Sequence, residues 1–272
     1  MFNKVFIVAA KEWRDGWRNR WLLFITLLFA LMALGLSWFG AVATGQLGTA
    51  PLPTLIASLA SLAVLVIPLI ALLLGYDAFI GEQEQGTLIL ILTYPLSQWQ
   101  LVVGKFLGQW AILASATFLG FGSAAGLLAL SDFSAQLVSA FAVFIGSAIL
   151  LGAVFLALAH LISLSVSEKS HAAGLALFVW FFFTLIYDLG LLSLLVATSG
   201  WLDQGTLKVL LLANPTDIFR LINLTYLDAQ GTGILASLGQ LRLGYPLLIG
   251  ILVLWVTTSL TLTTWRFNSK TL

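Results

Sequence analysis

The chain has 272 residues, 60% of them hydrophobic and 8% charged, with a mean hydropathy of +1.06 and a formal net charge of +1. A soluble domain carries about 25% charged residues, so this composition excludes one and describes a protein that crosses a membrane several times. There is no cysteine, which excludes disulfides, thiolate-bound zinc, iron–sulfur clusters and thiol catalysis.

Residues 2–20 open the chain with a helical segregation. At 100° per residue Phe2, Val5, Phe6, Ala9, Trp13 and Trp17 share one face, and Lys4, Lys11, Arg14 and Arg18 gather on the opposite one. Such a helix lies in the membrane interface, with Trp13 and Trp17 toward lipid and Arg14 and Arg18 toward anionic headgroups. No A-x-A-like site follows it, so it does not read as a cleavable signal.

Six apolar segments follow, at about 21–43, 54–76, 101–130, 136–164, 172–197 and 245–266. Each is long enough to cross a hydrocarbon core of about 30 Å, and the third and fourth are long enough to tilt or project. Pro68 predicts a kink in span 2. Gly122-Ser-Ala-Ala-Gly126 in span 3 predicts close helix packing, within one subunit ahead of a dimer seam. Lys and Arg set the orientation. Nine lie on one side, in the N-terminal segment, the loops after spans 2 and 4 (Lys105, Lys169) and the tail (Arg266, Lys270), against Lys208, Arg220 and Arg242 on the other. Both termini are therefore expected in the cytoplasm.

Between spans 2 and 3 lies a polar insert, Gly81 to Lys105, on that same side. Glu82 and Glu84 are expected to start a short helix, where negative charge complements the dipole. Gly86 and Thr87 lead into an apolar run, Leu88 to Leu92, far too short to span a bilayer and stopped by Pro95. The run is expected to bury against the inner ends of the spans and to leave the acidic face to a soluble partner; a solvated loop is the plainer alternative. Ser97 and Gln100 have capping-box spacing.

Asp188 is the one acid well inside a span. Its charge would cost about 2.5–3.5 kcal/mol at a helix centre, so it is expected to face the bundle interior, as a pathway residue or as a structural contact to Tyr187 and the segment before span 6. In that outward stretch, 198–244, Asn214-Pro215 reads as a cap followed by Pro at the first helical position. Ile218, Leu221, Ile222 and Thr225 continue at helical spacing until Gly231 and Gly233, which suggests a re-entrant or interfacial hairpin. Asp217 and Arg220 either pair as i,i+3 neighbours or dock an outer partner.

Neither a G-x-x-x-x-G-K-[ST] phosphate loop nor an H-E-x-x-H zinc motif occurs, so this chain is not expected to be an enzyme. A channel would ask for charge rings or a carbonyl filter, which a lone Asp188 does not supply. Nothing in the charge pattern asks for nucleic acid.

Gly81-Glu82, Gly86-Thr87, the apolar run, Tyr94-Pro95-Leu96 and Gly104-Lys105 resemble the coupling-helix region of type-2 ABC transporter permeases. The likeness runs through Lys11-Glu12, Asp15, Arg18 to Leu22, Gly45 to Gly48, Ile56 to Leu59, Pro68 to Leu74, Glu168 to Ser170, Ala173 to Leu177 and Asn214 to Ile218. It is most similar to the permease class of the nitrous-oxide-reductase maturation transporter. The resemblance implies an all-α integral membrane fold, one ABC-2 type transmembrane domain over residues 1–272. Its parts are six transmembrane helices, an N-terminal amphipathic interfacial helix, a cytoplasmic coupling helix and a short outer helical hairpin before span 6.

It further implies a homodimer in the bacterial inner membrane, driven by a separate cytoplasmic ABC ATPase that binds the ATP and Mg. Glu82, Glu84, Gly86, Thr87, Leu90, Leu92 and Pro95 would then meet that ATPase. For the class it implies a periplasmic copper-handling partner and a role in assembling the copper–sulfur centre of nitrous oxide reductase. His160 and His171 both fall near the inner face, so copper outside is expected on the partner and no cofactor on this chain. Sulfur-containing cargo, or mechanical work on that partner, fits better than copper ions moving along the chain. An ABC-2 exporter of an unrelated substrate, such as a lipid-linked glycan or a drug, shares every feature read so far.

Overall fold

A computed structural model describes residues 2–18, 20–42, 52–131, 133–198, 203–227 and 244–269. Gly45, Gly48, Gly231, Gly233, Arg242 and Lys270 lie outside them. Among the described residues the regular elements are all helical. They are α1 (Phe2–Arg18), α2 (Trp21–Val42), α3 (Leu52–Gly75), α4 (Ile80–Glu84), α5 (Thr87–Leu92), α6 (Gln98–Ser131), α7 (Ala135–Ser165), α8 (Lys169–Phe181), a π-helical turn (Phe182–Ile186), α9 (Tyr187–Ala197), α10 (Gln204–Ala213), α11 (Pro215–Leu227) and α12 (Tyr245–Ser269).

The apolar segments read from the sequence become α2, α3, α6, α7, α8–α9 and α12. Among the described residues five stretches are individually long and apolar enough to cross a membrane, and α1 with α2 forms a pair bent by 67° that supplies a sixth if counted as one broken span. Arg20 makes that bend with a left-handed backbone, φ 56°, a conformation that ends a helix and redirects the chain.

The core sits around α7, whose Leu151, Val154 and Phe155 are fully buried among α3, α6 and α12. Its N-terminus is capped by Ser134, whose side chain accepts from Leu137 N–H. Pro68 lies inside α3, and one turn before it the Leu65 carbonyl accepts from Trp180 Nε1 at 2.8 Å, an added partner where proline has weakened the ladder.

Span 5 departs from a plain helix. The π-helical turn widens it, and the Phe183 carbonyl there accepts from Asn214 Nδ2 at 3.1 Å and Thr216 Oγ1 at 3.2 Å. Hydropathy patterning carries no trace of such a turn, because every residue in it is apolar or Thr.

Close approach uses glycines other than those expected. A Cβ on Gly108 would lie 2.6 Å from the Ala9 carbonyl oxygen, and one on Gly104 would lie 2.7 Å from Val8 Cβ, so α1 lies directly against α6. Gly122 and Gly126 have no such neighbour within 4 Å. Their small-residue pattern does not pack helices inside this subunit, contrary to expectation.

Candidate functional site

The insert between α3 and α6 folds as an elbow made of two short helices, and the chain's own polar groups fix it from several directions. At its start the hydroxyl of Ser163, on α7, accepts from the backbone N–H of Phe79 at 3.0 Å and of Ile80 at 3.1 Å. These donors open a helix and have no partner within it, so a residue of another span caps α4. Gly86, with φ +71°, turns the chain between α4 and α5, and Thr87 Oγ1 donates to the Glu82 carbonyl. At the far end Ser97 N–H donates to Gln100 Oε1 at 3.1 Å, one half of the expected capping box.

Charge holds the middle of the elbow. Lys105 is 3% exposed and lies 2.7 Å from Glu82 and 3.0 Å from Glu12, while Lys11 approaches Glu12 at 3.4 Å and Glu82 at 3.8 Å. Two cations and two carboxylates thus join α1, α4 and α6. Burial acts to raise the Glu12 pKa, but Lys105 and Lys11 outweigh it and hold Glu12 below the usual carboxylate range. Phe79, fully buried, packs its ring against His160 of α7 at 5.4 Å and Phe267 of α12 at 5.8 Å, with the Lys105 ammonium 5.7 Å from its centre.

This arrangement reverses the expected faces. Glu82 does not point away from the body but into the Lys105 pair. Glu84 is the last residue of α4, not near its start, and its carboxylate accepts from the Lys169 N–H at the beginning of α8 at 2.7 Å. Its charge therefore complements the dipole of α8. Of the apolar run, Leu88 buries against Val8, Phe79, Leu101 and Val102, whereas Ile89 and Leu90 are 62% and 63% exposed. A run of consecutive residues on a helix cannot bury as a unit, because neighbours stand about 100° apart. The Leu92 side chain lies outside the described residues. Tyr94 and Pro95 are exposed, and Lys4 donates to the Pro95 carbonyl.

Between α1 and this elbow opens a groove of about 520 Å³, with Lys4, Lys11 and Arg14 on its rim and Ile7, Val8, Leu96 and Leu101 along its walls. On α1 itself, Val5 and Val8 are buried and Trp13 is half-buried against the core, while Phe6, Ile7, Trp17, Arg14 and Arg18 are exposed. The apolar face is therefore shared: one edge goes to α6 and the other stays free.

At the opposite end, α10 and α11 form the expected hairpin. Asn214 caps α11, its Oδ1 accepting from Thr216 N–H at 3.0 Å. Asp217 and Arg220 pair at 2.9 Å, as the i,i+3 spacing allows, and Arg220 also reaches Asp188 of α9 at 2.5 Å. Asn214 Nδ2 bonds Asp217 as well. Asp217 is 5% exposed at its side chain and Arg220 23%, so the pairing that the i,i+3 spacing allows is made with Asp217 buried and Arg220 partly open. Burial, with Asp188 alongside, pushes Asp217 up to about 7 against the pull of Arg220. Asp188 thus ties span 5 to the hairpin, and the neighbouring Tyr187 adds a bond to the Leu210 carbonyl at 2.6 Å. α11 is also joined to α7: Asn223 Nδ2 donates to Ser147 Oγ at 3.0 Å, Phe219 packs on Phe144 at 6.1 Å, and Tyr226 donates to Ser139.

His160 is buried with its Nε2 2.8 Å from Gln109 Oε1, and His171 is exposed on another helix. Among the described residues no three His, Asp or Glu side chains gather so as to hold a metal ion. The residues that sequence reasoning missed are Glu12, Lys105 and Ser163. Lys105 closes the polar insert yet already falls inside the 101–130 segment, and it lies two turns into α6, where a cation demands a partner. That demand is the signal that could have found it. Ser163 carries none.

Comparison with known proteins follows the same lines. A family model described as ABC-2 family transporter protein matches residues 6–272. The chain is 53% identical over 259 residues to the probable ABC transporter permease protein NosY of Pseudomonas aeruginosa, covering 94% of this chain and 92% of that protein. It is 52% identical over 257 residues to the like-named protein of Stutzerimonas stutzeri, covering 93% and 92%.

Proposed function

This chain belongs to the ABC-2 family of transporter proteins, as an ABC transporter permease, and we propose that it carries the motion of a separate cytoplasmic ATPase across the inner membrane to support assembly of the copper–sulfur centre of nitrous oxide reductase. It works as a homodimer with both termini inside and hands its motion, or a sulfur-containing cargo, to a periplasmic copper-handling partner. ATP and Mg belong to the ATPase, and copper to the outer partner.

The observation that supports this reading is the elbow: a short helical pair locked by buried charge to α1 and α6, yet leaving Ile89 and Leu90 exposed on this chain. A loop with no partner gains nothing from such exposure. An apolar knob on a rigid mount suits a protein groove, with Tyr94 and Pro95 beside it. Gly86 and Thr87 shape the turn between the elbow's helices, and Glu82 and Glu84 serve the same contact by fixing the mount. Along α1, Trp17, Arg14 and Arg18 meet the lipid interface, with Trp13 half-buried next to them.

The test is a Leu90→Glu variant and a strain lacking this chain. The variant should lose co-purification of the ATPase at least tenfold and keep its unfolding temperature, because most of the Leu90 side chain is uncovered in this chain. The strain should make reductase without the absorption of its copper–sulfur centre. Reductase with a full centre from that strain would refute the maturation role, and an ATPase still bound to Leu90→Glu would refute the contact.

A further inference from the structure

The elbow and the outer hairpin sit at opposite ends of the molecule, and one helix touches both through buried polar side chains. That helix is α7. At one end Ser163 accepts the Phe79 and Ile80 N–H groups. Sixteen residues earlier Ser147 accepts from Asn223 of α11 at 3.0 Å, about 24 Å away along a helix rising about 1.5 Å per residue. Ser163, Ser147 and Asn223 are all buried. Among the described residues, of the five stretches long and apolar enough to cross singly, α7 is also the most enclosed. It has no proline, and it runs unbroken from Ala135 to Ser165. An unbroken helix enclosed over most of its length moves as a body.

The other polar ties leading from the elbow toward the hairpin run only to the start of span 5, through the Glu84 cap on Lys169 N–H and through Asp77–Lys169, whose side chains are 38% and 43% exposed. An ion pair so open to water holds little. The Lys105 pair fixes the elbow to α1 and α6 and stays at that end of the molecule.

We infer that α7 is the rod by which the elbow drives the outer hairpin, with Ser163 as the input positioning residue and Asn223, through Ser147, as the output one. This rests on the coupling role proposed above and adds the route. Coupling along a route needs a test of its own beyond spatial continuity. Two links in series make a definite demand: breaking both should be no worse than breaking either.

The absence of native cysteine permits paired labels at Leu130→Cys and Val209→Cys, both on exposed residues near the hairpin end. The full complex with its ATPase, in nanodiscs, is measured by electron–electron spin resonance with ADP and with a trapped ATP state. The parent protein should show a nucleotide-dependent change in label distance. Ser163→Ala and Asn223→Ala should each lose at least half of it while retaining the ATPase. The double variant should match the singles, Ser163→Thr should restore the change, and Asp77→Asn should leave it intact. A parent-sized change in Ser163→Ala or Asn223→Ala overturns the inference, as does an additive loss in the double variant or a hydrolysing parent complex whose label distance stays fixed. If instead no ATPase accompanies the parent chain, the coupling role itself fails, and the inference with it. Were Asn223→Ala not to fold, the Ser163→Ala and Ser163→Thr pair decides alone.

Discussion

Removing Arg220 should unlatch the α10–α11 hairpin from span 5, and the structure sets the scale. Its guanidinium stands 2.5 Å from Asp188 and 2.9 Å from Asp217. At an effective dielectric constant of about 20 each attraction is worth roughly 6 kcal/mol, most of it cancelled by the cost of taking the groups out of water. What survives on deletion of one partner is about 3–5 kcal/mol for a buried network. Arg220 and Asp188 are 23% and 32% exposed, so water screens part of this and the lower end applies, about 3 kcal/mol. For a chain of this size that lowers the unfolding temperature by roughly 6–12 °C. The assay is intrinsic fluorescence on heating in nanodiscs, for which the ten tryptophans give ample signal. Arg220→Gln removes the counter-charge that holds Asp217 down, so Asp217 takes up a proton at neutral pH and the Asp188 charge is left without its cation. Adding Asp188→Asn and Asp217→Asn removes that imbalance and should recover most of the loss, because a neutral hydrogen-bonded nest replaces an unbalanced one. A fall of less than about 2 °C in Arg220→Gln, or a triple variant no better than the single, would refute the reasoning.

Two further outcomes are expected. Asp217 has a folded-state pKa near 7, above its ordinary value, so its contribution is fully present below the unfolded pKa and is lost as pH rises through the folded one. The unfolding temperature should therefore climb between about pH 8 and about pH 6, by the equivalent of about 1 kcal/mol. Asp217→Asn should flatten that slope; an unchanged slope would assign it to another group. Gly108→Ala places a methyl 2.6 Å from the Ala9 carbonyl oxygen and should cost roughly 1–3 kcal/mol by forcing α1 off α6, whereas Gly122→Ala meets no such atom and should stay within about 0.5 kcal/mol, both read from denaturation midpoints. Equal losses at the two positions would mean that Gly122 packs on a second subunit.

How much of this is legible in the sequence depends on the kind of signal. The spans are, because about 20 apolar residues in a row would be costly to expose to water and match the thickness of a bilayer. The Asn214-Pro215 helix start is also legible, since capping is local and the residues that do it are few. Burial direction on short elements is not. Leu88 is buried and Leu90 exposed although both are leucines two residues apart, and only the placement of Val8 and Phe79 decides between them. Nor is the destination of the acids. Glu82 reads as surface charge until Lys105 is known to lie inside α6, and Asp217 reads as exposed until α11 is known to lie against α7 and α9. Ser163 is the extreme case: a hydroxyl in an apolar helix whose role exists only because the start of α4 ends beside it.

Span 5 shows why the two ends of the molecule are held so differently. Among the described residues, of the five stretches long and apolar enough to cross singly it is the least enclosed. At the elbow end its ties are the solvent-facing Asp77–Lys169 pair and the Glu84 cap on Lys169 N–H. At the hairpin end Asp188 and the Phe183 carbonyl are both engaged by α11 and its cap. A helix tied weakly at one end and firmly at the other follows the firm end. The widened π-helical turn lies at that firm end, beside Asp188, and its freed carbonyl is the group that Asn214 and Thr216 hold. If span 5 were driven directly from the elbow, that asymmetry would be misplaced, with the strong polar ties belonging next to Lys169. As it stands, the enclosed α7 joins elbow to hairpin and the hairpin holds span 5, so span 5 is the last member of the chain of contacts and not the first.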